Sequence, residues 1–201
     1  MQREQINMDE LDLQSQGVRH YSIRVEHSTK WGWHLIPLTV MVGAEAKAGE
    51  GLVVIGATHG NEYEGPMAIR RVMQELDVSR VAGRLIFMPI FNAPAFFSGT
   101  RDTVDDGLNL NRAFPGDAHG SITQRLADLM VTAIFPHVHA VFDLHSGGKV
   151  ARFEPLSSFH HVEDEHQRQV MEVLARGFGC KLTMIYQNQT PGLLTSMAER
   201  L

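Results

Sequence analysis

Cysteine is all but missing: Cys180 is the single one in 201 residues. That excludes an internal disulfide framework and any Cys-rich zinc module, and it fits a reducing compartment. Long apolar runs are missing too. The longest, Leu35 to Ala44 and Leu52 to Ala57, fall far short of the roughly 20 residues that cross a bilayer. The opening Met1-Gln-Arg-Glu-Gln-Ile-Asn has no apolar centre of the kind a signal peptide needs. Nor is there an excess of basic charge: 18 Lys and Arg face 23 Asp and Glu, a net charge of −5. This argues against a general electrostatic hold on nucleic acid or anionic lipid and leaves only a local basic pocket. What is present is 43% hydrophobic residues with 20% charged, enough for the core of one domain. The expectation is a soluble, cytoplasmic α/β protein with neither nucleic acid nor membrane as partner. Eleven histidines are many for this length and direct attention to metal chemistry.

Residues 1–18 are polar and aperiodic and read as a loose N-terminal arm. Tyr21 to Glu26 alternates apolar and polar, the mark of a half-buried strand, and His34 to Gly43 reads as a second, with Pro37 at an edge or bulge. No helix separates them, so an antiparallel hairpin is expected. Leu52 to Ala57 and Gly83 to Phe91 are short apolar runs typical of strands covered on both faces. Between them, Glu64 to Leu76 has helical spacing. Residues 92–120 read as a long irregular stretch. Ser121 opens a helix with a capping-box pattern, Ala140 to His145 is a strand, and Ala151 to Pro155 reads as a short one. Asp164 to Phe178 (helix), Lys181 to Tyr186 (strand) and Thr190 to Leu201 (helix) complete the chain. The alternation predicts a mixed, largely parallel sheet with helices on both faces. The last helix ends on an apolar position without a C-cap, so residues 19–201 read as one domain incomplete at its C-terminal end.

Gly56-Ala-Thr-His-Gly-Asn-Glu-Tyr-Glu-Gly follows a buried strand and opens a helix. Ligands gather at the carboxyl ends of strands in such sheets, so His59 and Glu62 lie where a site belongs. Imidazole nitrogen and carboxylate oxygen are ordinary zinc ligands, and a turn at Gly60 lets both face one ion. On this stretch alone the alternative stands that His59 caps the helix and Glu62 complements its dipole. Val141-Phe-Asp-Leu-His-Ser-Gly-Gly shifts the balance: His145 ends another strand, and Asp143 shares its face. Zinc-bound histidines give their second N–H to a carboxylate or carbonyl, a role open to Asp143. His59, Glu62 and His145 make two histidines and a carboxylate with a fourth position for water, the catalytic zinc pattern.

The long loop holds Thr100-Arg-Asp-Thr-Val-Asp-Asp-Gly-Leu-Asn-Leu-Asn-Arg-Ala-Phe-Pro-Gly. Arg101 and Arg112 offer guanidinium forks for carboxylates or oxyanions and Asn111 an amide donor, unless the arginines simply answer Asp102, Asp105 and Asp106. A calcium reading of those acids fails for want of EF-hand order. His137 and His139 read as surface groups or partners of a helix C-terminal dipole, His160 and His161 as loop residues, Cys180 as a small core residue, and Trp31 and Trp33 as packing or interface anchors. Ser146 lacks the Gly-x-Ser-x-Gly elbow of a serine hydrolase.

The His59-Gly-Asn-Glu62, Asn109-Leu-Asn-Arg112-Ala-Phe-Pro-Gly and Asp143-Leu-His145-Ser-Gly elements occur in that order. Together they resemble the succinylglutamate desuccinylase/aspartoacylase family, zinc-dependent amidohydrolases related to the zinc carboxypeptidases. Trp31-Gly-Trp-His-Leu-Ile-Pro and the Thr100 to Arg112 segment look most like the Nα-acetyl-L-2,4-diaminobutyrate deacetylases of ectoine breakdown. The resemblance implies a carboxypeptidase-like three-layer sandwich and one Zn2+ per chain on His59, Glu62 and His145. It further implies Asn111 and Arg112 on the α-carboxylate of an N-acyl amino acid substrate, and Arg101 as polariser of the scissile carbonyl. The family's general base, a glutamate on a strand after the last helix, has no counterpart here, and Glu199 cannot be assumed to replace it. Such a piece is expected to be inactive alone. A metallocarboxypeptidase acting on peptides and a non-catalytic zinc- or carboxylate-binding module are the competing readings, and self-association is left open.

Overall fold

The structure, a computed structural model, describes residues 2–27, 29, 31–47 and 50–200. Strands β1 (Glu4–Ile6), β2 (Gly17–Glu26), β3 (Trp33–Val42), β4 (Leu52–Gly56), β5 (Arg84–Met88) and β6 (Ala140–Leu144) form one sheet in the order β1-β2-β3-β5-β4-β6. The β2–β3 and β3–β5 pairings are antiparallel, while β1–β2, β4–β5 and β4–β6 are parallel. The expected hairpin is there, with Tyr21 opposite Leu38 and Val25 opposite His34. Strands β7 (Leu156–His160) and β8 (Leu182–Tyr186) pair in parallel as a second, two-stranded sheet.

The period of two along each strand divides the core between the two faces. Ile36, Leu38 and Val40 of β3, with Ile86 and Met88 of β5, lie on one face with Ile122, Leu126 and Met130, from α3 (Ile122–Leu129) and the wider turn that continues it, and Leu194 of α5 (Leu194–Ala198). Met41 and Phe87 lie on the other, against Ile69 and Met73 of α1 (Glu64–Glu75). Helices therefore cover both faces, as the strand–helix alternation predicts. Two further helices, α2 (Ala93–Ser98) and α4 (Glu165–Gly177), complete the set, and α4 packs on β7.

Some expectations need correcting. The N-terminal segment is not loose. Ile6 and Leu13 are buried, β1 pairs with β2, and Arg3 donates to the carbonyls of Tyr21 and Leu38 at 3.1 Å each. Its anchors are side chain to backbone and leave no periodicity to read. The region after Phe91 contains α2, capped by Asn92 Oδ1 accepting from the Ala95 N–H. No strand forms over 151–155; β7 follows immediately, which makes His160 the last residue of a strand. The final helix is shorter than its pattern, because Gly192 turns at φ +87° and the Thr190 N–H is taken by Ser196 Oγ.

In the main sheet β6 is the end strand. Beside it lies a cleft of about 1630 Å³, lined by Phe142, Leu144, Leu156, Phe159 and Leu174 and reaching His59, Glu62 and His145. No helix among the described residues is long and apolar enough to cross a membrane.

Arg84 is among the most deeply buried side chains and donates to the carbonyls of Leu13 and His137 and to Gln14 Oε1. Hydrogen bonds to a charged group contribute about 1.5–3 kcal/mol each, and removing one partner strands the others. Arg84→Ala is therefore expected to lower the unfolding free energy by about 3 kcal/mol or more in urea titration. A loss below about 1 kcal/mol would show that the N-terminal segment is held by other means.

Candidate metal centre and active site

Strand β4 ends at Gly56, and the chain turns sharply through Ala57, a buried residue at φ +54°. A left-handed conformation at a non-glycine residue is costly and persists only where the surroundings impose it. It delivers Thr58 and His59 above the sheet. A Cβ on Gly60 would lie 2.0 Å from the Ala95 carbonyl carbon, so only glycine allows the turn to run this close to α2. Glu62 follows, just before α1. His145 leaves β6 one residue past its end, and because Gly56 pairs with Leu144 in a parallel ladder, both histidines emerge at the same end of neighbouring strands.

The donor atoms converge. His59 Nδ1 lies 3.0 Å from Glu62 Oε1, His145 Nδ1 lies 2.9 Å from Glu62 Oε2, and the two Nδ1 atoms are 3.2 Å apart. A tetrahedral ion with bonds of 2.0–2.1 Å needs ligand atoms about 3.3 Å apart. Two imidazole nitrogens facing each other at this range suit a shared cation, so the donor set fits a divalent metal. Each ring is held from behind: His145 Nε2 is 2.8 Å from Asp143 Oδ2, and His59 Nε2 is 3.2 Å from Asn109 Oδ1. Both rings thus present Nδ1 to the centre while Nε2 faces an oxygen, the arrangement in which an imidazole is oriented from behind for a metal. Asp143 is itself steadied by the Thr58 hydroxyl at 2.6 Å.

Glu62 is only 3% exposed. Burial alone would raise its pKa, but hydrogen bonds from His145, from His59 and from the Ser146 N–H hold the carboxyl well below the usual range. Burial likewise opposes charge on His145; the Asp143 carboxylate, and then Glu62, override it and push the pKa up to about 10. The Glu62 and Asp143 carboxylates thus favour positive charge at the His145 ring, and a divalent ion would supply such charge at the centre.

The other expected residues fall around this cluster. Arg101, just past the left-handed Gly99 that ends α2, donates from Nη1 to Glu62 Oε1 at 2.9 Å. It does not answer the aspartates of its own loop. Asn111 reaches the edge of the cluster, with Nδ2 3.5 Å from His145 Nε2, while its Oδ1 accepts from the Leu194 N–H at 2.9 Å. Arg112 is exposed, lines the same cleft, and donates to the Asn111 carbonyl. Sequence reasoning missed Asn109 and Thr58 as supports, although both sit inside motifs it had singled out, and it missed the Ser146 N–H. His160, read as a loop residue, is buried and bonds Glu199 at 2.9 Å. Trp31 and Trp33 are exposed, the latter beneath Arg24.

A mixed sheet with helices on both faces and a His/Glu/His cluster at the carboxyl ends of its strands defines a metallocarboxypeptidase-like α/β architecture. A metallo-carboxypeptidase from Burkholderia cenocepacia shares this fold at TM-score 0.65 and 16% identity, over 92% of this chain and 52% of that one. Residues 48–201 match the succinylglutamate desuccinylase/aspartoacylase catalytic domain, and the chain belongs to that family. It is 36% identical over 197 residues to the N-alpha-acetyl-L-2,4-diaminobutyric acid deacetylase of Halomonas elongata, covering 94% of this chain and 56% of that protein. Among solved structures, it matches a succinylglutamate desuccinylase from Silicibacter at TM-score 0.86 and 32% identity, over 95% of this chain and 58% of that one. The product-bound ectoine utilization protein EutE (DoeB) of Ruegeria pomeroyi follows at TM-score 0.84 and 33% identity, with 95% and 59% covered. The chain thus spans just over half the length of these relatives.

The tight turn at Gly60 supplies a test. Gly60→Ala is expected to cost about 1–3 kcal/mol, measured by thermal and urea unfolding. Gly83→Ala, where a Cβ meets nothing within 4 Å, should change stability by less than about 0.5 kcal/mol. Equal effects would mean that the His59 turn relaxes freely.

Proposed function

We propose that this chain carries the zinc-binding catalytic part of a hydrolase that splits the amide bond of an N-acyl amino acid into a carboxylate and a free amino acid. Nα-acetyl-L-2,4-diaminobutyrate is the proposed substrate and ectoine breakdown the setting. The observation that supports it most directly is the convergence of His59, Glu62 and His145 on one point, with Asp143 and Asn109 fixing the two rings. The relation to the Halomonas deacetylase supports the substrate class. A reducing, cytoplasmic setting accords with the free Cys180.

In this reading His59, Glu62 and His145 are the zinc ligands, one from the β4 turn, one just before α1 and one just past β6. A zinc ion bound there supplies Lewis acidity, polarising the amide carbonyl and acidifying water at the site. Arg112 and the Asn111 amide group hold the substrate's α-carboxylate, and a planar fork fixes orientation as a point charge cannot. Arg101, which lies against Glu62 and is half exposed, steadies charge developing on the carbonyl oxygen, a contribution of about 3–4 kcal/mol for one well-placed donor. The base that takes the proton from water is not assigned to these residues. Glu199 is engaged by His160 and by Gln189, and Glu64 by the Ser146 hydroxyl.

The test combines metal analysis with an assay for the newly freed amino group, using acetyl-diaminobutyrate, acetyl-aspartate, succinyl-glutamate and a dipeptide. Preference for the first supports the proposal; hydrolysis of the dipeptide alone overturns it in favour of a peptidase. His145→Ala is expected to abolish zinc retention at this centre, and a fully metallated variant would remove His145 from the ligand set. Arg112→Lys should raise KM about tenfold with kcat little changed. An unchanged KM would place the substrate's carboxylate elsewhere.

A further inference from the structure

Away from this centre, a second cluster of the same chemistry has no assigned role. His27 lies just past β2, His34 lies in β3, and Asp105 lies in the loop between Arg101 and Asn109. The hairpin register puts Val25 opposite His34, and the His27 N–H donates to the Gly32 carbonyl at 2.8 Å. The two histidines are therefore diagonal neighbours on one face of the ribbon. Their Nε2 atoms each lie 3.2 Å from the same oxygen, Asp105 Oδ2. The ring centroids are 4.8 Å apart and tilted by 32°, so the imidazoles converge at Asp105 and do not stack flat.

Those contacts are longer than the 2.7–2.9 Å usual for charge-assisted bonds, and they match the ligand–ligand edge of about 3.3 Å around a tetrahedral ion. The set has the same composition as the first centre, two imidazoles and one carboxylate with ligand atoms close enough to hold one ion, although here both rings meet the same carboxylate oxygen. Thr29 holds the His27 ring from behind: its Oγ1 lies 2.8 Å from His27 Nδ1 and its backbone N–H donates to the same atom at 3.2 Å, so the ring is oriented with Nε2 towards Asp105. The His27 side chain is 36% exposed while Asp105 is 11% exposed, which leaves a solvent path on one side and room for water as further ligand.

We infer that His27, His34 and Asp105 form a second site for a divalent transition-metal ion of the zinc class, clamping the Arg101–Asn109 loop to the β2–β3 hairpin. Two nitrogen donors disfavour magnesium and calcium, which take oxygen. The site is separate from the proposed catalytic zinc and raises the metal count above the single ion expected from the sequence.

The experiment is a Zn2+ titration of the metal-stripped chain, read by competition with a chromogenic chelator and by metal analysis after dialysis, with Co2+ absorption as a spectroscopic check. The wild-type chain should bind about two equivalents, and His34→Ala, Asp105→Asn and His145→Ala about one each. His34→Ala combined with His145→Ala should bind none. Asp105→Asn preserves shape, and circular dichroism confirms that each variant is folded. The inference is overturned if the wild type binds one equivalent that His145→Ala alone removes, or if both His34→Ala and Asp105→Asn retain two. Loss of one equivalent in those variants with none lost in His145→Ala would sustain this site while overturning the proposed catalytic ligand set.

Discussion

Burying the Glu62 carboxylate above the ends of a sheet is unfavourable unless donors replace the water it gives up, and here imidazoles from two turns, a guanidinium and a backbone N–H do so. These donors come from the β4 turn, the end of β6 and the loop after α2, so one side chain fixes the relative position of three segments. The arrangement also explains the support around it. Because Glu62 draws both rings inward through Nδ1, their outer nitrogens need acceptors of their own, and Asp143 and Asn109 provide them.

Much of this was legible in the sequence because it follows from short-range pattern. Apolar runs ending in polar residues and glycine marked β4 and β6, and a parallel pairing of those strands is enough to bring His59 and His145 together. The helical spacing of α1 and α4 likewise survived into the structure. The N-terminal segment was not legible: its attachment depends on Arg3 reaching two backbone carbonyls and on Arg84 reaching Leu13 and Gln14, contacts between distant residues that leave no period behind. The shortening of α5 and the displacement of β7 reflect local turn geometry competing with an apolar pattern that fitted either outcome.

The His27–His34–Asp105 cluster shows the same limit from the other side. His34 and Asp105 are 71 residues apart, and nothing in either neighbourhood announces the other. Yet each sits within a segment whose wording resembled one branch of the family, Trp31 to Pro37 and Thr100 to Arg112. Contact between two such segments turns what looked like separate signatures into one structural unit that holds the Arg101–Asn109 loop against the hairpin.

The position of β6 at the end of the main sheet has a consequence for how the site is insulated. His145 departs from this outermost strand and keeps nearly a third of its side chain exposed, while the cleft beside the strand is apolar in much of its lining. A chain segment or molecule laid against β6 would exclude water from both at once. Local permittivity would fall, and each Coulombic interaction with Glu62 and Asp143 would strengthen. In this architecture, covering β6 and setting the dielectric around Glu62 are one physical event.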